Sequence, residues 1–201
     1  MKIGRPDNES TAHDVAAGIA EVLISREAIQ KRVAEMGAEV SAACKGSLPL
    51  LVGVLKGCAL FMSDLVRHIG IPMEMDFICL TGYGGRPSGA ARITKDLDSA
   101  IEGRDVLLVE GIIDTGMTAG YLLRNLEARQ PRSIRICALL DKPARRIVDI
   151  PIAFRGFQIP DRFVVGYGLD FRQLYRNLPY LGVLSDDVTG LNNHGQGLVL
   201  K

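Results

Sequence analysis

The sequence predicts an α/β fold with a mainly parallel central sheet flanked by helices. Short continuous apolar runs alternate with amphipathic stretches of about 10–15 residues, the size of a crossover helix. Three of these runs lead into small polar clusters, "KGC", "GIIDTGMT" and "DKPARR". No internal repeat or low-complexity linker breaks the pattern, so residues 1–201 read as a single domain. Right-handed crossovers would cover both sheet faces. Ligands of such sheets sit at the carboxyl ends of the strands, where the three clusters fall.

The elements follow in order. Residues 1–12 are polar, with Gly4 and Pro6, and residues 185–201 are rich in Gly, Asn and Asp; both read as mobile tails. Ser25 is a plausible N-cap. After it Ile29, Val33, Met36 and Val40 recur at spacings of three and four, which predicts an amphipathic helix over "REAIQKRVAEMGAEVSAAC", weakened slightly by Gly37. "LPLLVGVL" predicts a buried strand, and "ALFMSDLVRHIG" a helix stopped by its glycine. "MEMDFICLTGY" is the next strand; it runs into the glycine-rich "GYGGRPSGAAR" and returns through "ITKDL" to the strand "GRDVLLVEGII". "TAGYLLRNLEARQ" is helical and "SIRICALLDK" is a strand, followed by the short, glycine-broken "IAFRGFQI" and "FVVGYGL".

Composition narrows the function classes. The chain is 47% apolar and 23% charged, and no apolar run approaches the ~18 residues of a membrane span. A formal charge of +1 supplies no broad field for nucleic acid or an anionic membrane, so any polyanion site must be local. Cys44, Cys58, Cys79 and Cys137 are widely spaced and lack metal or redox spacing, which predicts reduced thiols and a cytoplasmic location. The first apolar stretch contains Glu21 and follows Asp14, unlike a secretory signal.

"VLLVEGIIDTGMT" carries the most chemistry. Asp-Thr-Gly after an apolar run also presents the carboxylate of an aspartic protease, but that reading needs a mostly β fold, and here a helix follows. As a strand-to-helix turn, Asp114–Thr118 would aim backbone N–H groups at an anion, with Thr115 and Thr118 as hydroxyl donors and Gly116 permitting close approach. Glu110 could hold ribose hydroxyls directly or through hydrated Mg²⁺. Spacing alone leaves equally open a plain corner capped by Asp114 or Thr115.

The segment resembles the phosphoribosyl pyrophosphate signature of the type I phosphoribosyltransferases, in the hypoxanthine-guanine branch. "ISREAIQKRV", "VGVLKGCALFMSDLVR", "RITKDLD", "LLDKPARR" and "FVVGYGLDFRQLYRNLPYLGVL" resemble that branch in the same order, over about residues 22–184. The resemblance implies a small hood built from the N- and C-terminal parts, and a mobile lid containing Thr81, Gly82 and Tyr83. It implies transfer of phosphoribosyl from phosphoribosyl pyrophosphate to hypoxanthine or guanine, with Mg²⁺ as cofactor and a homodimer or homotetramer as the assembly.

Residue by residue, the resemblance makes Asp114 the acid/base carboxylate facing purine N7. Glu110 and Asp114, Thr115, Gly116, Met117 and Thr118 would hold the phosphoribosyl group and its 5′-phosphate. Leu55, Lys56 and Gly57 match the pyrophosphate loop, with a non-proline cis peptide before the lysine, and Arg176 matches a further pyrophosphate contact. Lys142 would donate to the purine 6-oxo group; an ammonium offers no acceptor to an adenine amino group. Phe163 would stack on the base, and the backbone of Val164 and Asp170 would read its edge. Asp170 matches the Mg²⁺ ligand, with Glu110 a second candidate.

The chain departs from the branch in two places. Gly111 replaces the second acid of a Glu-Asp pair, so restoring it with Gly111→Asp is expected to lower the Michaelis constant for phosphoribosyl pyrophosphate. Gly82 replaces a serine before Tyr83, in a loop about two residues shorter than the common bacterial pattern. The alternative reading is a regulator on the same fold that senses phosphoribosyl pyrophosphate or nucleotide and binds nucleic acid. The formal charge of only +1 and the non-basic character of the ~20 residues before the first motif speak against it.

Overall fold

The computed structural model describes residues 16–81 and 92–190. The tail expected at 1–12, the lid residues Gly82 and Tyr83, and residues 191–201 lie outside the described residues. Strand β1 (Ile19–Ile24) leads into helix α1 (Arg26–Ala43). Ser25 caps that helix, its Oγ accepting from the Ala28 N–H at 3.3 Å. The predicted stripe of Ile29, Val33, Met36 and Val40 is buried. Gly37 has a packing reason: a β-carbon there would lie 2.5 Å from Cβ of His68, at the end of the next helix.

The chain continues through β2 (Leu50–Leu55), α2 (Ala59–Arg67), β3 (Glu74–Thr81) and β4 (Arg92–Lys95). Then come β5 (Asp105–Ile113), α3 (Met117–Glu127), β6 (Ser133–Asp141), a 3₁₀ turn (Pro143–Arg145) and β7 (Ile152–Gln158). These six strands from β2 to β7 form one sheet in the order β4-β3-β2-β5-β6-β7, parallel except for the β3/β4 pair. The order turns back between β2 and β5. Their carboxyl ends therefore open a crevice flanked by the loops after both strands and, beside them, after β6.

Two apolar layers sandwich the sheet. Leu51, Leu107 and Val109 pack with Val33 and Met36 of α1 and with Phe61 and Leu65 of α2. Leu50, Val52 and Leu108 pack with Leu122 and Leu126 of α3 on the other side. The segment that follows edge strand β4 is pinned by buried Asp76, whose Oδ2 accepts from the N–H groups of Asp98 and Ser99 at 2.8 and 3.1 Å.

The last strands, β8 (Val164–Val165) and β9 (Leu181–Leu184), join β1 in a separate antiparallel sheet ordered β1-β9-β8. This is the hood built from both ends of the chain. Within the segment expected from residue 185 to be a mobile tail, the chain forms one helical turn, α4 (Asp186–Thr189), ended by left-handed Gly190. Among the described residues no helix is long and apolar enough to cross a membrane, and all four cysteines are free.

Candidate active site

β5 carries Glu110 to the rim of the crevice and ends just before Asp114. The turn that follows needs a left-handed residue, and Gly116 supplies it at φ 82° as the N-cap of α3. A side chain there would run into the Val148 carbonyl and Arg146. The turn is braced from behind, because Thr115 O accepts the N–H groups of Ile147 and Val148 at 2.9 and 3.0 Å. Glu110, Asp114, Thr115, Gly116 and Thr118 line one small cavity of about 170 Å³ at the N-terminus of α3. Met117 is part of the helix's first turn, with its N–H 3.4 Å from Thr115 Oγ1.

The two carboxylates here differ in environment. Glu110 is 7% exposed, and burial pushes its carboxyl up to about 8. Asp114 is half-buried, and its Oδ1 has no aligned hydrogen-bond donor among the described residues. Arg145 Nε stands 3.3 Å from that oxygen, off the line that a hydrogen bond requires. The oxygen thus has a cation beside it and an unused acceptor position.

β6 ends in Asp141, and Lys142 follows it at the start of the 3₁₀ turn. Buried Asp141 is paired with Arg146 and, at 2.9 Å, with Arg155. Lys142 is only 5% exposed; burial lowers the pKa of its ammonium, opposed by the charges of Asp114 and Asp161. It lines a cavity of about 490 Å³ with Arg145, Asp161, Phe163, Asp186 and Thr189. Phe163 is partly exposed and meets Phe171 edge to face at 5.5 Å. The side chain of Val164 belongs to the core, so only its backbone is available to a ligand.

The third group follows β2. The Leu55–Lys56 peptide is cis, and Ala59 N–H donates to Lys56 O at 3.1 Å to close the turn into α2. Lys56 Nζ lies 3.4 Å from Gln173 Oε1, which also accepts from Arg176 Nη2 at 3.1 Å. Arg176 pairs with Asp170 at 2.6 Å. The structure therefore unites Lys56, Asp170 and Arg176, gathers Glu110 with Asp114–Thr118, and sets Lys142 beside Phe163. Thr81 ends β3 on the exposed surface.

The phosphoribosyl transferase domain model matches residues 23–172. This chain belongs to the phosphoribosyltransferase family. It is 51% identical over 172 residues to the hypoxanthine-guanine phosphoribosyltransferase of Bacillus subtilis, covering 85% of this chain and 96% of that one. It is 49% identical over 173 residues to the hypoxanthine phosphoribosyltransferase of Salmonella typhimurium, covering 83% and 97%. Among solved structures, a hypoxanthine phosphoribosyltransferase from Staphylococcus aureus aligns with a TM-score of 0.81 at 44% identity, over 85% of this chain and 94% of that one. The Trypanosoma cruzi enzyme in complex with the product IMP aligns with a TM-score of 0.80 at 35% identity, over 86% and 97%.

Two residues that the structure brings against these candidate groups carry no signal in the sequence. Arg145 sits inside the quoted "LLDKPARR", one turn beyond Lys142, but its approach to Asp114 requires the 3₁₀ turn. Gln173 lies in a stretch whose backbone conformation its residue types do not announce.

Proposed function

We infer that the protein is a purine salvage enzyme that transfers the phosphoribosyl group of 5-phosphoribosyl 1-pyrophosphate to hypoxanthine or guanine, giving IMP or GMP and pyrophosphate. The observation that carries this reading is Asp114 Oδ1, which receives no hydrogen bond among the described residues, lines the cavity at the start of α3 and pairs with Arg145, a residue of the cavity that holds Lys142 and Phe163. An acceptor there suits a purine N7–H, and a buried ammonium beyond it suits the 6-oxo group.

In the reaction a purine ring nitrogen bonds to the anomeric carbon as the bond to pyrophosphate breaks, and the base loses a proton. Asp114 takes or shares that proton. The turn Thr115–Thr118 and the first N–H groups of α3 hold the 5′-phosphate, while Glu110 meets the sugar hydroxyls. Lys56 and Arg176 neutralise the departing pyrophosphate. Phe163 covers the base, and the backbone at Val164 and Asp170 reads its edge.

The donor set fits Mg²⁺ in the manner that ion favours, with few protein carboxylates and the remaining positions filled by water and phosphate oxygens. No group of three or more His, Cys, Asp or Glu suited to a metal occurs among the described residues. Asp170 would hold the ion, with Glu110 the weaker candidate because its buried carboxyl favours the neutral form. Bound there, Mg²⁺ would neutralise charge developing on the leaving group.

The relatives named above are enzymes, which leaves the regulator reading without support. We extend the reading to a cytoplasmic homodimer or homotetramer built from one domain, with Thr81, Gly82 and Tyr83 in its lid. The test is nucleotide formation from phosphoribosyl pyrophosphate and Mg²⁺ with hypoxanthine, guanine, xanthine and adenine offered separately. IMP or GMP formation is the expected result; no turnover with any base would overturn the reading.

A further inference from the structure

We propose that Gln173 is a positioning residue for pyrophosphate, a neutral clamp that holds the Lys56 ammonium and the Arg176 guanidinium on one acceptor. The proposal rests on the function inferred above, within which Lys56 and Arg176 serve the leaving group.

The first support is the shape of the contacts. Gln173 Oε1 accepts from Lys56 Nζ at 3.4 Å and from Arg176 Nη2 at 3.1 Å. Arg176 is held on its other side by Gly168 O, which accepts from Nη1 at 2.7 Å. Two like charges this close repel, and an acceptor shared between them offsets the repulsion. A carboxylate in this place would hold them too, but it would cancel one positive charge. An amide carbonyl keeps both cations together and adds no negative charge beyond that of Asp170, which already pairs with Arg176 at 2.6 Å.

The second support is the backbone. Phe171 and Leu174 exchange hydrogen bonds, Phe171 N–H to Leu174 O at 3.3 Å and Leu174 N–H to Phe171 O at 3.0 Å. Arg172 and Gln173 are the two residues between them, at φ 52° and 69°. A tight turn with two positive φ values favours Asn-Gly or Gly-Gly, and bulkier residues there are strained. Gln173 occupies the position against that preference, and its N–H donates to Asp170 Oδ2 at 2.8 Å. Strain retained at a residue that links Lys56, Asp170 and Arg176 points to use of its side chain.

Gln173→Met removes the acceptor at similar length, and Gln173→Gly removes it while relieving the left-handed backbone. Binding of magnesium pyrophosphate to each purified protein would be followed by calorimetry, beside steady-state kinetics and thermal unfolding. Both variants are expected to weaken pyrophosphate binding and raise KM for phosphoribosyl pyrophosphate by about five-fold, with kcat and the purine KM within about two-fold. The unfolding temperature of Gln173→Gly should not fall. Unchanged pyrophosphate affinity would overturn the proposal, as would an equal rise in both KM values accompanied by a lower unfolding temperature, which would mark Gln173 as structural. If the parent protein formed no nucleotide, the proposed function would fail, while calorimetry with pyrophosphate would still decide the role of Gln173.

Discussion

A β-carbon placed on Gly111 would lie 2.8 Å from the carbonyl oxygen of Gly57, and 3.2 Å from Cδ2 of Leu169. The loop after β2 is thus seated directly on β5. Gly168 approaches the same oxygen, at 2.5 Å from its own virtual β-carbon. Three glycines meet where the proposed pyrophosphate loop, the sugar-side strand and the Asp170 segment converge.

This contact reverses the expectation drawn from sequence for Gly111→Asp. Viewed as a missing carboxylate, the position invites repair. With backbone as the obstacle, the new side chain must push Gly57 away, and with it the loop that carries Lys56. Gly111→Asp is expected to raise KM for phosphoribosyl pyrophosphate by about three- to ten-fold. Steady-state kinetics at saturating hypoxanthine would check it, and a lowered KM would show that the loop yields and the added carboxylate dominates.

Much of the central layer was legible because each signal was local. Ser25 and the Ile29–Val40 stripe mark α1 without tertiary information, and the three polar clusters fall at the ends of β2, β5 and β6. Strand β1 was not marked: its middle residues Ala20, Glu21 and Val22 are exposed and its pairing partner is β9, where Ile19 meets Leu184. The site divides in the same way. Asp114–Thr118 form one continuous motif, whereas the meeting of Lys56 with Gln173 depends on a turn whose residues, Arg172 and Gln173, lack the usual chemistry for positive φ.

Asp114→Asn keeps the size of the side chain and removes its capacity to take a proton. If Asp114 acts on the purine proton, kcat should drop by about 10²- to 10⁴-fold while both KM values change little. The variant should fold normally, since Asp114 Oδ1 receives no hydrogen bond among the described residues. A rise in KM with kcat preserved would instead assign Asp114 to substrate binding.

In the proposed reaction Lys142 selects the purine. Its ammonium is buried, and its donor-only chemistry suits a 6-oxo group. Lys142→Gln introduces an amide that can accept as well as donate. The KM for hypoxanthine should rise by about 10- to 100-fold, the weight of a charge-assisted hydrogen bond, while discrimination against adenine narrows. Comparing kcat/KM for the two bases tests this; an unchanged ratio would place the choice elsewhere in the cavity.

Glu110 predicts an unusual dependence of stability on pH. Burial raises its carboxyl from the ordinary 4.5 to about 8. Between these values the folded chain holds a proton that the unfolded chain has released, so stability falls as pH rises. The contribution is complete below the lower value and lost on passing through the upper one, with a slope of at most about 1.4 kcal/mol per pH unit. Glu110→Gln is neutral throughout and removes this slope. In urea unfolding without Mg²⁺ or substrate, from about pH 5 to 8, the variant should gain on the parent as pH increases. Parallel curves would mean that the carboxyl ionises in the folded protein as it does in the unfolded one, which would restore Glu110 as a full candidate for the metal.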